Sequence, residues 1–269
     1  MSLTEKDLTG LRKAKQLLEN PGYAVKLTNL VGKPIEKGMA LLPKNWSSVV
    51  NKAVNISLNK ALVFAVKTMN QTTSGGSKEA HHRIGAAVSG GVGGLFGFSS
   101  LVFELPISTM IMLRSIADIA RDEGENVKSA ETQLACLEVF ALGGNSKSDD
   151  MADTGYYAVR TALAKLMNEA AKYIAEKGVI EEGAPVVVKF IMRIASRYGI
   201  IVSEKVAAGA VPVLGAISGA TINTIFINHF QDMARGHFTV RRLERKYGEE
   251  LIKSEYDKIY IPSNKKAGS

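Results

Sequence analysis

The stretch IGAAVSGGVGGLFGFSSLVFELPISTMIMLRSIADIARDEG, residues 84–124, indicates the fold more clearly than any other part of the chain. It opens with 20 residues, 84–103, that carry no charged side chain and include six glycines. Glycines four residues apart let another backbone approach closely. Pro106 then predicts a kink or a new helix start, and apolar residues recur at the helical period as far as Gly124. The stretch therefore predicts a tightly packed glycine-rich segment followed by an amphipathic helix.

A second uncharged run covers residues 206–231, where only His229 can titrate. It is 26 residues long and repeats the proline and the small-residue pair of the first run. Both runs meet the length requirement for a membrane span, although their glycine, proline and hydroxyl content lowers their hydrophobicity. Core helices that are surrounded by other helices show the same pattern. We favour two buried core helices over two membrane spans.

The rest of the chain repeats apolar residues at helical spacing, and strand patterns are weak throughout. Helices are predicted at 4–19, 44–69, 129–142, 156–177 and 186–198, the last ended by Gly199, with a broken helical stretch over 23–42. The fold class is therefore all-α, a multi-helix bundle with two glycine-rich apolar central helices. Residues 70–79, NQTTSGGSKE, read as a linker. We predict a basic helical N-terminal extension with its linker (1–79), a main helical domain (80–260) and a polar tail (261–269).

The net charge of +8 is concentrated in the N-terminal third of the chain. Residues 1–83 contain 13 Lys and Arg against 5 Asp and Glu, whereas the remaining residues contain 21 of each. No acidic residue lies between Glu36 and Glu79. Such an asymmetry indicates an anionic partner, either a membrane surface or nucleic acid. A solvated basic face without a partner is the alternative.

The predicted helix over 44–69 combines lysines with the only tryptophan of the chain. A basic amphipathic helix of this kind is typical of proteins that lie on a membrane surface. An ordinary packed helix with exposed lysines shows the same pattern and is the more common case. Nucleic-acid binding is disfavoured because the basic third lacks the expected motifs and interleaved aromatic residues. The candidate membrane-surface residues are Lys44, Trp46, Lys52, Lys60 and Lys67.

The first residues and the cysteine content indicate a cellular compartment. The N-terminal sequence MSLTEKDLTGLRKAK is charged and lacks the apolar core of a signal peptide. A single cysteine, Cys136, excludes a disulfide within the chain and fits a reducing environment. We expect a cytoplasmic protein that is peripheral at the inner membrane surface.

Two blocks resemble the signatures of the EcsC family. The first, FGFSSLVFELPISTMIMLRSIADIARDEG, has the glycine-rich run, the acid-Leu-Pro step and Leu-Arg-Ser-Ile; the second is AGAVPVLGAISGATINTIFINHFQDMARGHFTVRRLERKYG. The resemblance covers residues 84–248, matches residues 1–80 less clearly, and departs at Glu104, where aspartate is more usual. It implies a bacterial helical protein, named for an accessory factor encoded beside an ABC transporter, without an established biochemical activity. A transporter or secretion component is the protein partner that it suggests.

Glu104 and Arg114 are the first candidates for a chemical role. Glu104 ends the uncharged run, and burial would raise its pKa unless a cation pairs with it. Arg114 is the nearest basic residue within an apolar helical face. We therefore predict a buried Glu104–Arg114 ion pair, with a functional acid at Glu104 as the alternative.

His229 and Asp232 lie one helical turn apart and, with Glu104, are weak candidates for catalytic residues. Neither an HExxH motif nor a Cys/His cluster is present in the sequence, so no metal site is predicted. The GxSxG, GxGxxG and P-loop patterns are each incomplete or missing, so no cofactor is predicted. A non-enzymatic role is favoured. A hydrolase or lipid-handling enzyme centred on Glu104, His229 and Asp232 is the second hypothesis, and a nucleic-acid binder is the third.

Overall fold

A computed structural model describes residues 2–19, 23–32, 35–69, 101–144, 155–177, 184–210 and 219–261. Within these ranges the chain forms ten α-helices and one short 3-10 helix, and no β-strand. The all-α fold class is therefore confirmed. The helices are α1 Glu5–Glu19, α2 Tyr23–Val31, α3 Ile35–Met39, α4 Trp46–Thr68, α5 Leu101–Asp122, α6 Ala130–Glu138, the 3-10 helix Val139–Ala141, α7 Tyr156–Lys177, α8 Pro185–Ala210, α9 Gly219–Tyr247 and α10 Glu249–Lys258.

Helical periodicity predicted α1, α4 and α7 to within two residues at each end. The segment predicted as one helix over 129–142 is instead the short helix α6 followed by the 3-10 helix. Its start is fixed by Ser129, whose side chain accepts a hydrogen bond from the backbone N–H of Thr132 at 3.2 Å. This contact satisfies one of the backbone donors that every helix leaves unpaired at its first turn.

Two predicted helix breaks are wrong. Pro106 does not start a new helix, since it lies inside the continuous helix α5 and is buried there. Likewise α8 does not end at Gly199 but continues to Ala210. Tyr198 and Ile201 on either side of Gly199 are both fully buried, so packing stabilises the helix across the glycine. In both places tertiary contacts outweigh the local preference of a helix breaker.

The glycine-rich runs are only partly described. Residues 84–100 of the first run lie outside the described residues. The described parts of the second run lie on α8, up to Ala210, and on α9, from Gly219. They are not parts of one straight helix, because Lys205 and Asn223, 18 residues apart, are joined by a hydrogen bond of 2.9 Å. The aromatic residues of this run, Phe226 and Phe230, are fully buried in the core. The described parts of residues 206–231 therefore belong to two packed helices rather than to one continuous span.

Helix α9 occupies the centre of the bundle. It packs against α1, α2, α5, α8, α10 and the 3-10 helix, and α7 adds polar contacts to it. Among residues 221–247 the exposed positions are Thr224, Asn228, Arg235, Arg245 and Lys246. A helix that is buried around most of its circumference in this way is a core helix.

Helices α5 and α9 run parallel to each other with a constant register. Side-chain hydrogen bonds that join residues 116 positions apart link Gln231 to Ser115 (3.0 Å), Thr239 to Glu123 (3.0 Å) and Arg241 to Glu125 (2.8 Å). Helix α8 lies antiparallel to α5, because Thr109 contacts Tyr198 while Glu104, nearer the start of α5, contacts Lys205, nearer the end of α8. These three helices define the axis of the bundle.

The N-terminal helices share this core. Helix α1 packs on α9, α4 packs on α5 and α8, and their buried residues belong to the same hydrophobic cluster as those of the later helices. The predicted domain boundary between residues 79 and 80 falls outside the described residues and stays a prediction.

Helices α1 and α9 approach each other most closely at Gly236. A Cβ atom at this position would lie 2.6 Å from Leu18 Cγ and 3.0 Å from the carbonyl oxygen of Ala14. Gly10, in the interior of α1, has more room, since its nearest neighbour would be Arg242 Nη2 at 4.0 Å. The close contact therefore depends on a missing side chain at Gly236.

We expect Gly236→Ala to lower the free energy of unfolding by about 1–3 kcal/mol, because the added methyl group overlaps the Leu18 side chain and crowds the carbonyl oxygen of Ala14 on α1. The matched variant Gly10→Ala should be neutral or stabilising by up to about 1 kcal/mol, since alanine favours a helix over glycine. Urea denaturation followed by far-UV circular dichroism measures both. Equal effects of the two substitutions would contradict the close approach.

Candidate functional site

Helix α4 exposes a row of lysines. Lys52, Lys60 and Lys67 are exposed along it, and Lys44 is exposed just before its first turn. The helix contains no acidic residue, and no acidic side chain among the described residues lies within salt-bridge distance of these four lysines. Within the described ranges, their charges therefore face solvent without an acidic partner. We call these four residues the basic face of α4.

The opposite side of α4 is apolar and packs into the bundle. Val50, Val54, Leu58 and Leu62 are almost completely buried, and the helix contacts α5 and α8. Trp46 is only partly exposed and packs against this core. The structure therefore does not place the indole on the exposed side with the lysines.

The turn before α4 adds an exposed apolar residue that the sequence analysis missed. Leu41 is 57% exposed, and Lys37 and Lys44 on either side of it are exposed as well. Its spacing of four and three residues from these lysines is the only signal in the sequence that singles it out.

The predicted buried pair of Glu104 and Arg114 is wrong. Arg114 is exposed, whereas Glu104 Oε1 lies 3.5 Å from Lys205 Nζ. Because α5 is continuous, ten residues separate the two side chains by about 15 Å along the axis, too far for an ion pair. The prediction took Arg114 as the nearest basic residue on an apolar helical face, whereas the partner of Glu104 lies on another helix.

Lys205 is the partner that sequence reasoning missed. Its side chain is 11% exposed, donates to Asn223 Oδ1 at 2.9 Å and lies 4.6 Å from the centre of the Phe226 ring. Burial lowers the pKa of Lys205, and the carboxylate of Glu104 opposes this shift. The cluster joins the ends of α5, α8 and α9 that meet at one end of the bundle.

His229 and Asp232 have separate environments. His229 is 1% exposed and packs against the rings of Tyr23 and Phe230, each at 5.1 Å between centroids. Burial and the charge of Lys26 lower the pKa of His229 to about 3, so the imidazole is neutral. Asp232 instead forms salt bridges with Lys26 at 3.5 Å and Arg235 at 3.1 Å.

These three candidates do not form a common site. The Glu104 cluster reaches α9 at Asn223, six residues or about 9 Å along the helix from His229. No group of three or more His, Cys, Asp or Glu side chains that could hold a metal occurs within the described ranges. The arrangement gives no support to a catalytic centre built from Glu104, His229 and Asp232.

A buried polar cluster between α6, α7 and α9 was also missed. The Tyr156 hydroxyl lies 3.1 Å from His237 Nδ1, and His237 Nε2 lies 3.7 Å from Glu138 Oε2. The three residues are at most 4% exposed. The sequence contains one signal of this cluster: Glu138 is the single acidic residue in the apolar C-terminal part of the segment 129–142. Since solvent does not reach these side chains, the cluster is part of the core rather than an open active site.

Burial also sets the protonation of this cluster. It raises the pKa of Glu138 to about 7, a shift that Arg160 and Arg241 oppose. Burial, together with the same two guanidinium groups, lowers the pKa of His237 well below its usual range. The pair is therefore favoured as a neutral acid beside a neutral imidazole, which avoids the cost of two buried charges.

The arginine-rich end of α9 is engaged in ion pairs with other helices. Glu125 is 5% exposed and accepts from Arg241 at 2.8 Å and from Arg245. Burial raises the pKa of Glu125, but the two arginines outweigh it and the net shift is downward. Further pairs join Arg241 to Glu131 (3.0 Å), Arg242 to Glu123 (2.6 Å) and Asp7 (3.5 Å), and Arg160 to Glu244 (2.6 Å). The Arg-Arg-Leu-Glu sequence at 241–244 therefore holds helices together.

The raised pKa of Glu138 predicts how stability depends on pH. Because Glu138 is buried as a neutral carboxyl, its contribution to the free energy of unfolding is complete when the pH is below its ordinary pKa of 4.5. This contribution is lost as the pH rises through about 7. Glu138→Gln removes that titration. Relative to the wild type, its free energy of unfolding should therefore rise by about 3 kcal/mol as the pH increases across this window.

Urea denaturation at several pH values tests this expectation, and the difference between the two proteins cancels the titration of other groups. Glu169→Gln is the matched control, because Glu169 is an exposed glutamate on α7. It should leave the pH dependence unchanged. A constant difference between Glu138→Gln and the wild type at every pH would show that the pKa of Glu138 is not raised.

Comparison with known proteins identifies a family over most of the chain. The model of the EcsC protein family matches residues 5–243, so the matched region includes the N-terminal helices that were expected to match less clearly. No curated protein and no solved structure matches the chain. The match confirms the resemblance seen in the two sequence blocks and extends it to α1–α4. This chain belongs to the EcsC protein family.

Proposed function

We propose that this protein binds anionic membrane surfaces through the basic face of α4, as a non-enzymatic cytoplasmic factor at the inner membrane. The observation that carries the proposal is the row of exposed lysines on a helix without acidic residues. Charges of one sign that have no counter-ion on the protein attract a surface of the opposite sign. Near an anionic leaflet each lysine contributes about 1 kcal/mol, which salt screens. Four lysines together correspond to about a thousandfold in affinity.

A membrane-spanning role for α4 has less support. Among the described helices, α4 alone is long and apolar enough to cross a bilayer by length and composition, and half of its most apolar window is buried inside the protein. Lys52 and Lys60 lie well inside the helix, where a span would bring them into the hydrocarbon region. A charged side chain at that depth is costly. A helix that lies on the surface keeps both lysines at the headgroups.

Surface binding also fits the partner that the family resemblance suggests. A transporter or secretion component is embedded in the membrane, so a protein held at the inner leaflet would lie beside it. An enzymatic role has less support, since the proposed catalytic residues lie in separate environments. Nucleic acid is the competing partner for the basic face, and the vesicle experiment distinguishes membrane binding from nucleic-acid binding.

The test is binding to vesicles of phosphatidylcholine with and without phosphatidylglycerol. The wild type should bind only the anionic vesicles, and binding should weaken as salt rises. Energy transfer from Trp46, the only tryptophan, to dansyl-labelled lipid reports the association. Replacing Lys44, Lys52, Lys60 and Lys67 by glutamine should reduce affinity by at least about a hundredfold, because four headgroup contacts are lost.

A matched control removes the same charge elsewhere. Lys165, Lys172, Lys177 and Lys258 are exposed lysines on α7 and α10, and their replacement by glutamine should leave most of the binding intact. Circular dichroism shows whether both quadruple variants stay folded. Equal binding of the wild type to neutral and anionic vesicles, or equal losses in the two variants, would contradict a role for the basic face of α4.

A further inference from the structure

The turn between α3 and α4 presents one apolar side chain among lysines. Leu41 is 57% exposed, although a leucine is ordinarily buried in a protein of this size. Lys37, four residues before it, and Lys44, three residues after it, are both exposed. No acidic residue follows in the sequence until Glu79. The turn therefore combines an exposed apolar group with two exposed lysines, and the exposed acid Glu36 lies directly before the first of them.

Backbone hydrogen bonds hold this turn in place. The N–H of Leu41 donates to the carbonyl of Gly38 at 3.1 Å, that of Leu42 donates to Met39 at 3.2 Å, and that of Trp46 donates to Pro43 at 2.9 Å. On its N-terminal side, α3 packs against α8 and buries Ile35. Leu41 is thus fixed in an exposed position before any partner arrives. A pre-organised contact loses little conformational entropy on binding.

The chemistry of this turn fits a lipid headgroup boundary. An apolar side chain lowers its free energy by entering the acyl region, while lysines beside it keep their ammonium groups at the anionic headgroups. Phe103 and Ile107, which are also strongly exposed, flank the acidic side chain of Glu104 on α5. An acid would be repelled by an anionic leaflet. Met192 is 60% exposed between Lys189 and Arg193, but it lies on α8 rather than on the turn that leads into α4. Leu41 is the exposed apolar residue that lies between two lysines and continues directly into the basic face of α4.

We infer that Leu41 inserts into the acyl boundary of an anionic bilayer, with Lys37 and Lys44 bound to the headgroups on either side. The inference rests on the proposed membrane binding of α4 and names the residue that anchors it. It assigns to Leu41 the apolar membrane contact that the sequence pattern had suggested for Trp46, because the indole packs against the protein core. Lys37 joins the basic face as a fifth lysine.

The first test is the vesicle affinity of Leu41→Ser. Loss of an inserted leucine should weaken binding to phosphatidylglycerol-containing vesicles about tenfold. The dependence on salt should stay the same, because the number of charges is unchanged. Ile107→Ser is the matched control, since Ile107 is 53% exposed, and it should bind like the wild type. Equal affinity of Leu41→Ser and the wild type, or an equal loss in Ile107→Ser, would overturn the insertion of Leu41.

The second test places a probe at the same position. The native Cys136 is fully buried, and burial raises the pKa of its thiol, so a polarity-sensitive fluorophore reacts selectively with Leu41→Cys. Its emission should shift to shorter wavelength with anionic vesicles, and lipids that carry a quencher in the upper acyl chain should reduce it. Bound protein whose probe stays in water would overturn the insertion while leaving the membrane binding of α4 standing. A wild type that binds no anionic vesicle would overturn both.

Discussion

The parallel pairing of α5 and α9 is the constraint on which the rest of the structure depends. Helix α5 and the turn that follows it are held in register with α9 by contacts between residues 116 positions apart. In that turn, Glu123 and Glu125 form ion pairs with the arginines of α9. Charges of opposite sign that are partly removed from water stabilise each other only when the geometry is good. Several donors converge on each acid here, so a shift of either helix would break several contacts at once. Helices α1, α4, α6, α7 and α8 then pack around this pair.

The same ion pairs bear on which charged side chains lack a partner of opposite sign among the described residues. The later part of the chain has equal numbers of acidic and basic residues, and three of its acids, Glu123, Glu125 and Glu131, are bound to arginines at the end of α9. The lysines of α4 have no such partners among the described residues. The positive face is therefore produced by the distribution of acids as much as by the lysines. In the proposed function, electrostatic attraction to an anionic surface therefore comes mainly from one helix.

Local patterns predicted most helices, whereas long-range contacts decided the rest. The apolar spacing of α1, α4 and α7 is encoded within each segment, so periodicity was sufficient. Pro106 and Gly199 were misread because burial in the folded bundle stabilises helices that these residues alone would interrupt. Glu104 finds Lys205 on α8 rather than Arg114 on its own helix, and no spacing rule in one segment predicts that choice. The Glu138–His237 pair depends likewise on how α6 lies against α9.

The contact of α1 with α9 has a consequence for how the chain reaches its native state. Lys246 and Tyr247 bind Asp7 across 239 and 240 residues, and the apolar side of α1, with Leu11 and Leu18, is covered by α9. During synthesis α1 leaves the ribosome first and its partner leaves much later. Contacts so distant in sequence slow folding, because a long loop must close before they form. The apolar stripe of α1 therefore stays uncovered until α9 has been made, and over that interval it is the surface on which a chaperone would act.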